Sequence, residues 1–362
     1  LATNFQTAYG GRRVFVTGHT GFKGSWLCLW LEHLGARVTG YALAPSTEPS
    51  HYALLDLALD SVIADLKDGP ALHAALEAAQ PEIVFHLAAQ PIVLRSYEDP
   101  LETFETNVLG TARLLEACRH VESVQAVIVV TTDKCYENRE WIYGYREDDR
   151  LGGHDPYSAS KAAAELVTAS FRRSFFETPQ GSRARVATAR AGNVIGGGDW
   201  TEHRLVPDVM RAASESRPVR IRNPGSSRPW QHVLEPLSGY LTLGAELLAG
   251  RQELATAWNF GPGLDSNLTT AELFALMQRS WPEIRCELAP QEQAPHEAGL
   301  LMLDSTKARR ELGWRPTWNL ETTLHETVRW YRTFYEEGRA ISEEQLAQYV
   351  EGAARLGVPW AR

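Results

Sequence analysis

Three proton-handling side chains, Thr132, Asp133 and Lys134, stand side by side in "TTDKCYE" (131–137), directly after the apolar run "VQAVIVV". A hydroxyl can hydrogen-bond a reacting oxygen, and a carboxylic acid can protonate a leaving group. An amine can accept a proton once it has shed its own. A second pair, Tyr157 and Lys161 in "DPYSASK" (155–161), is four residues apart and shares one helix face. Tyrosine, ordinarily near pKa ~10, is a poor base at neutral pH, but a neighbouring ammonium stabilises its phenolate. The pair therefore suits proton exchange with a hydroxyl. Alone, a Tyr-x-x-x-Lys spacing is common by chance, and a surface pair would explain it as well.

Strand ends must hold these groups. "RRVFVTG" (12–18), "ARVTGYAL" (36–43), "SVIAD" (61–65), "EIVFHLAAQ" (82–90) and "VQAVIVVTT" (124–132) are β-rich runs. Helical patterns separate them: "FKGSWLCLWLEHLG", then stretches near 70–79 and 102–119, with a long one near 155–178 following. Apolar strands alternating with helices predict an α/β fold, a doubly wound parallel Rossmann sheet, extended by "RVATARAGNV" (185–194) and "TAWNFGPG" (256–263). In such sheets ligands bind beyond the carboxyl ends of the strands, where "TTDK" lies. Residues 1–194, with 233–262 returning, are expected to form the dinucleotide-binding domain. Residues 195–232 and 263–362, rich in Gly, Pro and Arg and then in Trp-bearing helices, are expected to form a smaller discontinuous, mainly C-terminal lobe.

"TGHTGFKG" (17–24) sets Gly18, Gly21 and Gly24, with His19, Thr20, Phe22 and Lys23 between them, in the first strand-to-helix turn. Glycines there let a diphosphate rest on the helix N-terminus. A plain tight turn is the competing reading, which placement after a strand disfavours. The acidic residue that would hold a ribose after the second strand is missing, since Tyr41, Ala42 and Leu43 stand there. No arginine pair replaces it, although His19 and Lys23 can approach that region. NAD is the expected cofactor. Asp65, with Leu66 beside it, ends the third strand, where it either caps the next helix or, as resemblance to a known dehydrogenase family implies, frames an adenine.

The 362 residues, 44% hydrophobic and 22% charged, suit a globular chain of one large domain and a lobe. With 36 Lys+Arg against 45 Asp+Glu, the net charge of −9 argues against nucleic-acid binding and leaves room for a small partner. Cys28, Cys118, Cys135 and Cys286 are scattered, suggesting neither disulfides nor a metal site. No run reaches the length of a membrane span and the first residues lack a signal peptide's apolar core, so a cytoplasmic protein is expected.

The glycine spacing, "HLAAQ" (86–90) with Leu87, Ala88 and Ala89, "TNVLGT" (106–111) with Asn107, and the Tyr157–Lys161 pair together resemble the extended short-chain dehydrogenase/reductase family. "TTDKCY" is similar to the Thr-Asp-Glu of nucleotide-sugar 4,6-dehydratases, with Lys134 where deoxythymidine-type members carry Glu. "NREW", "RAGNVIGGGDW", "RNPGSSRPWQHVLEPLSGY" and "NFGP" extend the likeness, from about residue 12 to the Trp-rich tail, to the branch acting on cytidine diphosphate sugars. The resemblance implies C4 oxidation of the sugar by NAD, loss of water across C5 and C6, and hydride return to C6. In that scheme Tyr157 and Lys161 serve C4, Thr132 polarises its oxygen, Asp133 is the acid and Lys134 the base. Lys134 would have to be uncharged, which burial or Lys161 nearby would favour. Otherwise it steadies an enolate, or merely pairs with Asp133. Cys135 reads as packed.

Substrate contacts are expected from Asn193, Arg204, Arg220, Arg228, Trp230, His232 and His296, because guanidinium forks suit a diphosphate. A solvated arginine-rich face is the plain alternative for any one of them. "PHEAGLLMLDSTKA" (295–308) departs from the family, with Gly299 and Leu300 in place of a bulkier pair. Other readings stay open: a dTDP- or GDP-sugar dehydratase, a 4-epimerase on the same fold, or a non-enzymatic NAD-sensing protein. Tyr157 with Lys161 disfavours the last, and Asp133 with Lys134 disfavours the epimerase. The resemblance also implies a homodimer through the helices near 102–119 and 155–178.

Overall fold

A computed structural model describes residues 3–221, 224–263, 266–288 and 300–361. Strands β1 (Arg13–Thr17), β2 (Arg37–Ala42), β3 (Asp60–Ile63), β4 (Ile83–His86), β5 (Ala126–Val130) and β6 (Arg185–Arg190) pair in parallel. A late strand, β11 (Ala257–Asn259), joins them beside β6, giving the order β11-β6-β5-β4-β1-β2-β3. The central strands β4 and β5 are buried along their whole length, as their unbroken apolar sequence requires. β3, at the edge, is mostly exposed.

Helices cover both faces. α1 (Phe22–His33) and α6 (Leu234–Leu248) pack Trp26, Trp30, Leu237 and Tyr240 on one side. α2 (Gly69–Ala79) and α3 (Gly110–His120) pack Leu72, Leu76, Leu114 and Leu115 on the other. α4 (Pro156–Phe171) starts where Asp155 accepts from Ser158 N at 2.9 Å and Pro156 takes the first turn. The single helix expected near 102–119 is instead Pro100–Phe104, a π-helical turn Glu105–Leu109, and α3. The widened turn sets Asn107 inward, where its side chain finds three hydrogen bonds. The helix near 155–178 likewise ends in a π-turn, Arg172–Phe176.

Short paired strands build the region beyond the sheet: β7 (Val194–Ile195) with β10 (Gln231–His232), β8 (Val219–Ile221) with β13 (Cys286–Leu288), and β9 (Ser227–Pro229) with β12 (Asn267–Thr269). Helices α5 (Leu205–Ser214), α7 (Thr270–Ser280), α8 (Leu320–Glu337) and α9 (Ser342–Arg355) complete it. Trp26 of α1 donates to Gly197 O at 2.9 Å, and Trp330 of α8 stacks on Phe334 and meets Trp200 edge to face. Glu235, buried at the start of α6, accepts from Thr317 N, Trp318 N and Tyr349 Oη at 2.7–2.9 Å, tying α9 to the sheet layer. Phe5 stacks on Trp360 with ring centroids 4.6 Å apart and planes 5° apart.

Candidate active site

The glycine turn joins β1 to α1 at the sheet's carboxyl edge. Gly18 has φ +77°, and a Cβ there would stand 2.7 Å from Ala88 N, so only glycine lets this loop meet the segment after β4. Gly21 is the exposed N-cap of α1 and no side chain caps that end, while Gly24 is buried beneath the loop. Free first-turn N–H groups with no acidic residue beside them form a cradle that fits the diphosphate of NAD. Thr20 is half-buried and its hydroxyl donates to Leu43 O at 2.8 Å. Phe22, Leu87, Ala88 and Ala89 are half-buried around the same edge.

His19 and Lys23 do not act together. The His19 ring lies over Gly40 of β2 and its Nε2 meets Ser61 Oγ at 2.8 Å; burial pushes its pKa down to about 4, so it is neutral. Lys23 turns the other way, donating to Tyr240 Oη at 3.3 Å. Burial, then the charges of Arg204 and Lys161, lower its amine to about 7 against the pull of Asp133. Asp65 accepts from Lys67 N at 2.9 Å and pairs with Lys67 Nζ. The helix cap considered for it is supplied by Asp68. Leu66 is buried against Gly110. Asn107 accepts from Gln90 N at 2.8 Å and donates to Gln90 O and to Ser160 Oγ, bracing the "HLAAQ" loop against α4.

Immediately beyond β5, Thr132 Oγ1 donates to Asp133 Oδ1 at 2.9 Å and accepts from Lys134 N. Asn193, at φ +50°, donates to Asp133 Oδ2 at 3.4 Å. Gly192 makes room for that carboxylate, since a Cβ would stand 1.9 Å from Oδ2. The Lys134 side chain is half-buried and makes no ion pair among the described residues, so a simple pairing with Asp133 is not what the geometry holds. Burial pushes the Tyr157 phenol up to about 12; the Thr132 hydroxyl and the Arg204 charge pull it back, while Asp133 raises it. Lys161 Nζ donates to Val130 O at 3.3 Å, and burial lowers its amine to about 8 against the opposing charge of Glu165. Cys135 is fully buried and its thiol is pushed up by that burial.

Of the expected substrate contacts, Asn193 reaches Asp133 directly, and Arg204, paired with buried Asp199 at 3.0 Å, brings its charge to Tyr157. Arg228 is buried and donates to Ser227 O, and Trp230 beside it leaves Nε1 without a partner among the described residues. His232 lies in the aromatic layer, its ring 4.7 Å from Trp318, and burial lowers it to about 3. Arg220 is exposed on β8. His296 and Gly299 lie outside the described residues.

Three participants escaped the sequence reading: Tyr240 at the Lys23 amine, Asp199 behind Arg204, and Glu165 one turn past Lys161. Only Glu165 carried a visible signal, the i, i+4, i+8 run from Tyr157.

A family model described as GDP-mannose 4,6 dehydratase matches residues 15–327. The chain is 47% identical over 351 residues to the CDP-glucose 4,6-dehydratase of Salmonella typhimurium, covering 95% of this chain and 98% of that protein. A dTDP-glucose 4,6-dehydratase of Streptomyces venezuelae, solved with NAD bound, superposes with a TM-score of 0.74 at 27% identity, over 90% of this chain and 99% of that one. The epimerase Mth375 of Methanothermobacter thermautotrophicus shares the fold, with a TM-score of 0.81 at 24% identity over 92% and 95% of the two chains.

Proposed function

The chain belongs to the GDP-mannose 4,6-dehydratase family, and from that membership we propose that it is an NAD-dependent hydro-lyase converting CDP-D-glucose to CDP-4-keto-6-deoxy-D-glucose. One arrangement carries the reading: an acid and an amine, Asp133 and Lys134, adjoin the Thr132–Tyr157–Lys161 group at a single strand end. An epimerase has no use for the first two.

The glycine turn and the "HLAAQ" loop would hold NAD, which would supply hydride acceptance from C4 and hydride return to C6. Tyr157 Oη takes the proton of the C4 hydroxyl, with Lys161 stabilising its phenolate and Thr132 Oγ1 hydrogen-bonding the C4 oxygen. A C4 ketone acidifies the C5 proton, which the Lys134 amine receives. Asp133, protonated at the outset, delivers its proton to the C6 hydroxyl, which departs as water, and the Lys134 ammonium then returns a proton to C5. Arg204, Arg228 and Asn193 hold the diphosphate sugar. Burial of Thr132, Asp133 and Tyr157 keeps bulk water from these transfers.

A homodimer in the cytoplasm completes the reading. Leu101, 79% exposed, with Phe104, Leu109, Leu166 and Phe175 leaves apolar surface along the Pro100–Leu109 segment, α4 and the turn that follows it. No described helix is long and apolar enough to cross a membrane. The deciding experiment incubates the protein with CDP-, dTDP-, UDP- and GDP-glucose and follows the alkali-induced absorbance of a 4-keto sugar. The signal is expected with CDP-glucose; none with any of the four rejects the assignment.

A further inference from the structure

Behind the Tyr157–Lys161 pair lies a buried ionic group that the reaction scheme does not use. Glu165 is one turn further along the same face of α4, and its side chain is 3% exposed. Its Oε1 accepts from Thr131 Oγ1 at 2.5 Å and Arg190 Nε at 2.9 Å; its Oε2 accepts from Thr188 Oγ1 at 2.7 Å and Arg190 Nη2 at 2.8 Å. Four donors on one carboxylate hold it fully ionised, and its pKa is lowered despite burial. Thr131 immediately precedes Thr132, so this carboxylate pins α4 to the catalytic strand end. Thr188 and Arg190 extend the tie to β6. Arg190 Nη1 continues to Tyr136 Oη at 2.7 Å and Glu147 O at 2.9 Å.

We propose that Glu165 is the positioning residue of the Tyr157–Lys161 pair: its carboxylate is both the counter-charge for the Lys161 ammonium and the tie that sets α4 against Thr132 and Asp133. Lys161 needs such a partner. It must stay charged to stabilise the Tyr157 phenolate, yet it is buried, and among the described residues its side chain hydrogen-bonds only Val130 O. The other titratable groups around it are Tyr157 on α4, Cys135 beyond β5, His86 on β4 and Lys23 on α1, with Arg190 on β6 behind Glu165. None of these besides Glu165 brings a full negative charge to the ammonium.

The proposal rests on the dehydratase reading only for its kinetic consequence, so its main test is not an activity. The chain holds five lysines, Lys23, Lys67, Lys134, Lys161 and Lys307, which allows each to be titrated by NMR of side-chain-labelled lysine in enzyme saturated with NAD. E165Q should lower the Lys161 midpoint by roughly one pH unit or more. Because E165Q leaves a buried guanidinium unpaired, the double variant E165Q/R190M removes both charges, and its Lys161 midpoint should also lie below that of the unmodified enzyme. T188V keeps both charges and removes one tie. It should lower kcat several-fold with KM unchanged, and T188S should restore kcat. A Lys161 midpoint unmoved in the double variant, or a T188V enzyme with the original kcat, overturns the proposal.

Discussion

Tyr157 occupies a site whose burial resists its ionisation, so its service as a proton carrier depends on the groups that pull its phenol back, the Thr132 hydroxyl and the Arg204 charge. Tyr157→Phe keeps the ring and removes the carrier; turnover should fall at least ~10²–10⁴-fold, with nucleotide-sugar affinity nearly intact by calorimetry. Lys134 separates its two possible roles by isotope. In heavy water the unmodified enzyme should place one deuterium at C5 of the product. Lys134→Met should still oxidise C4, seen as reduced-cofactor absorbance that rises and persists, with neither C5 deuteration nor water loss. A slow but deuterated 6-deoxy product would make Lys134 an electrostatic helper. At this scale the sequence was legible where chemistry and spacing coincide, as in Thr132-Asp133-Lys134 and Tyr157-x-x-x-Lys161. It was not legible where a side chain's direction decides its role. His19 and Lys23 are four residues apart where β1 turns into α1, yet packing sends one over Gly40 and the other to Tyr240.

The turn between β1 and α1 works because its backbone approaches the segment after β4 more closely than a side chain permits. Gly18→Ala adds a Cβ at positive φ, at a cost of about 1–2 kcal/mol before any clash with Ala88. The variant should melt at lower temperature and gain less thermal protection from added NAD. Equal protection in both proteins would separate this turn from the cofactor site. Strands were the most readable elements, since runs such as "VQAVIVV" are buried from both faces and their composition shows it. The π-turn at Glu105–Leu109 was not readable. Its cause is the set of partners that Asn107 finds on Gln90 and Ser160, residues distant in sequence. The pairing of β8 with β13 and of β9 with β12 was equally hidden, because strands of three residues are too short for a period to show.

Across the whole molecule, Glu235 joins α9 and the segment that leads into α8 to α6 through three donors in a fully buried place. Burial raises its carboxyl to about 7 against the donors' pull. The folded state therefore favours the protonated form, and its stability falls as pH rises from the ordinary carboxyl range through about 7. Glu235→Gln cannot titrate. Between about pH 5 and about pH 8 its urea stability should gain about 1–3 kcal/mol relative to the unmodified protein, whatever the offset between them. Parallel pH dependences would remove Glu235 from the acid–base balance of folding. The stack of Phe5 on Trp360 has a different kind of consequence, a topological one. Residues 5 and 360 touch, so the order of the chain can be rotated without moving any atom of the fold. A short Gly/Ser bridge from residue 361 to residue 3, with new termini opened between exposed Pro179 and Gln180, should give a circular permutant that folds, melts within a few degrees of the parent and keeps its turnover.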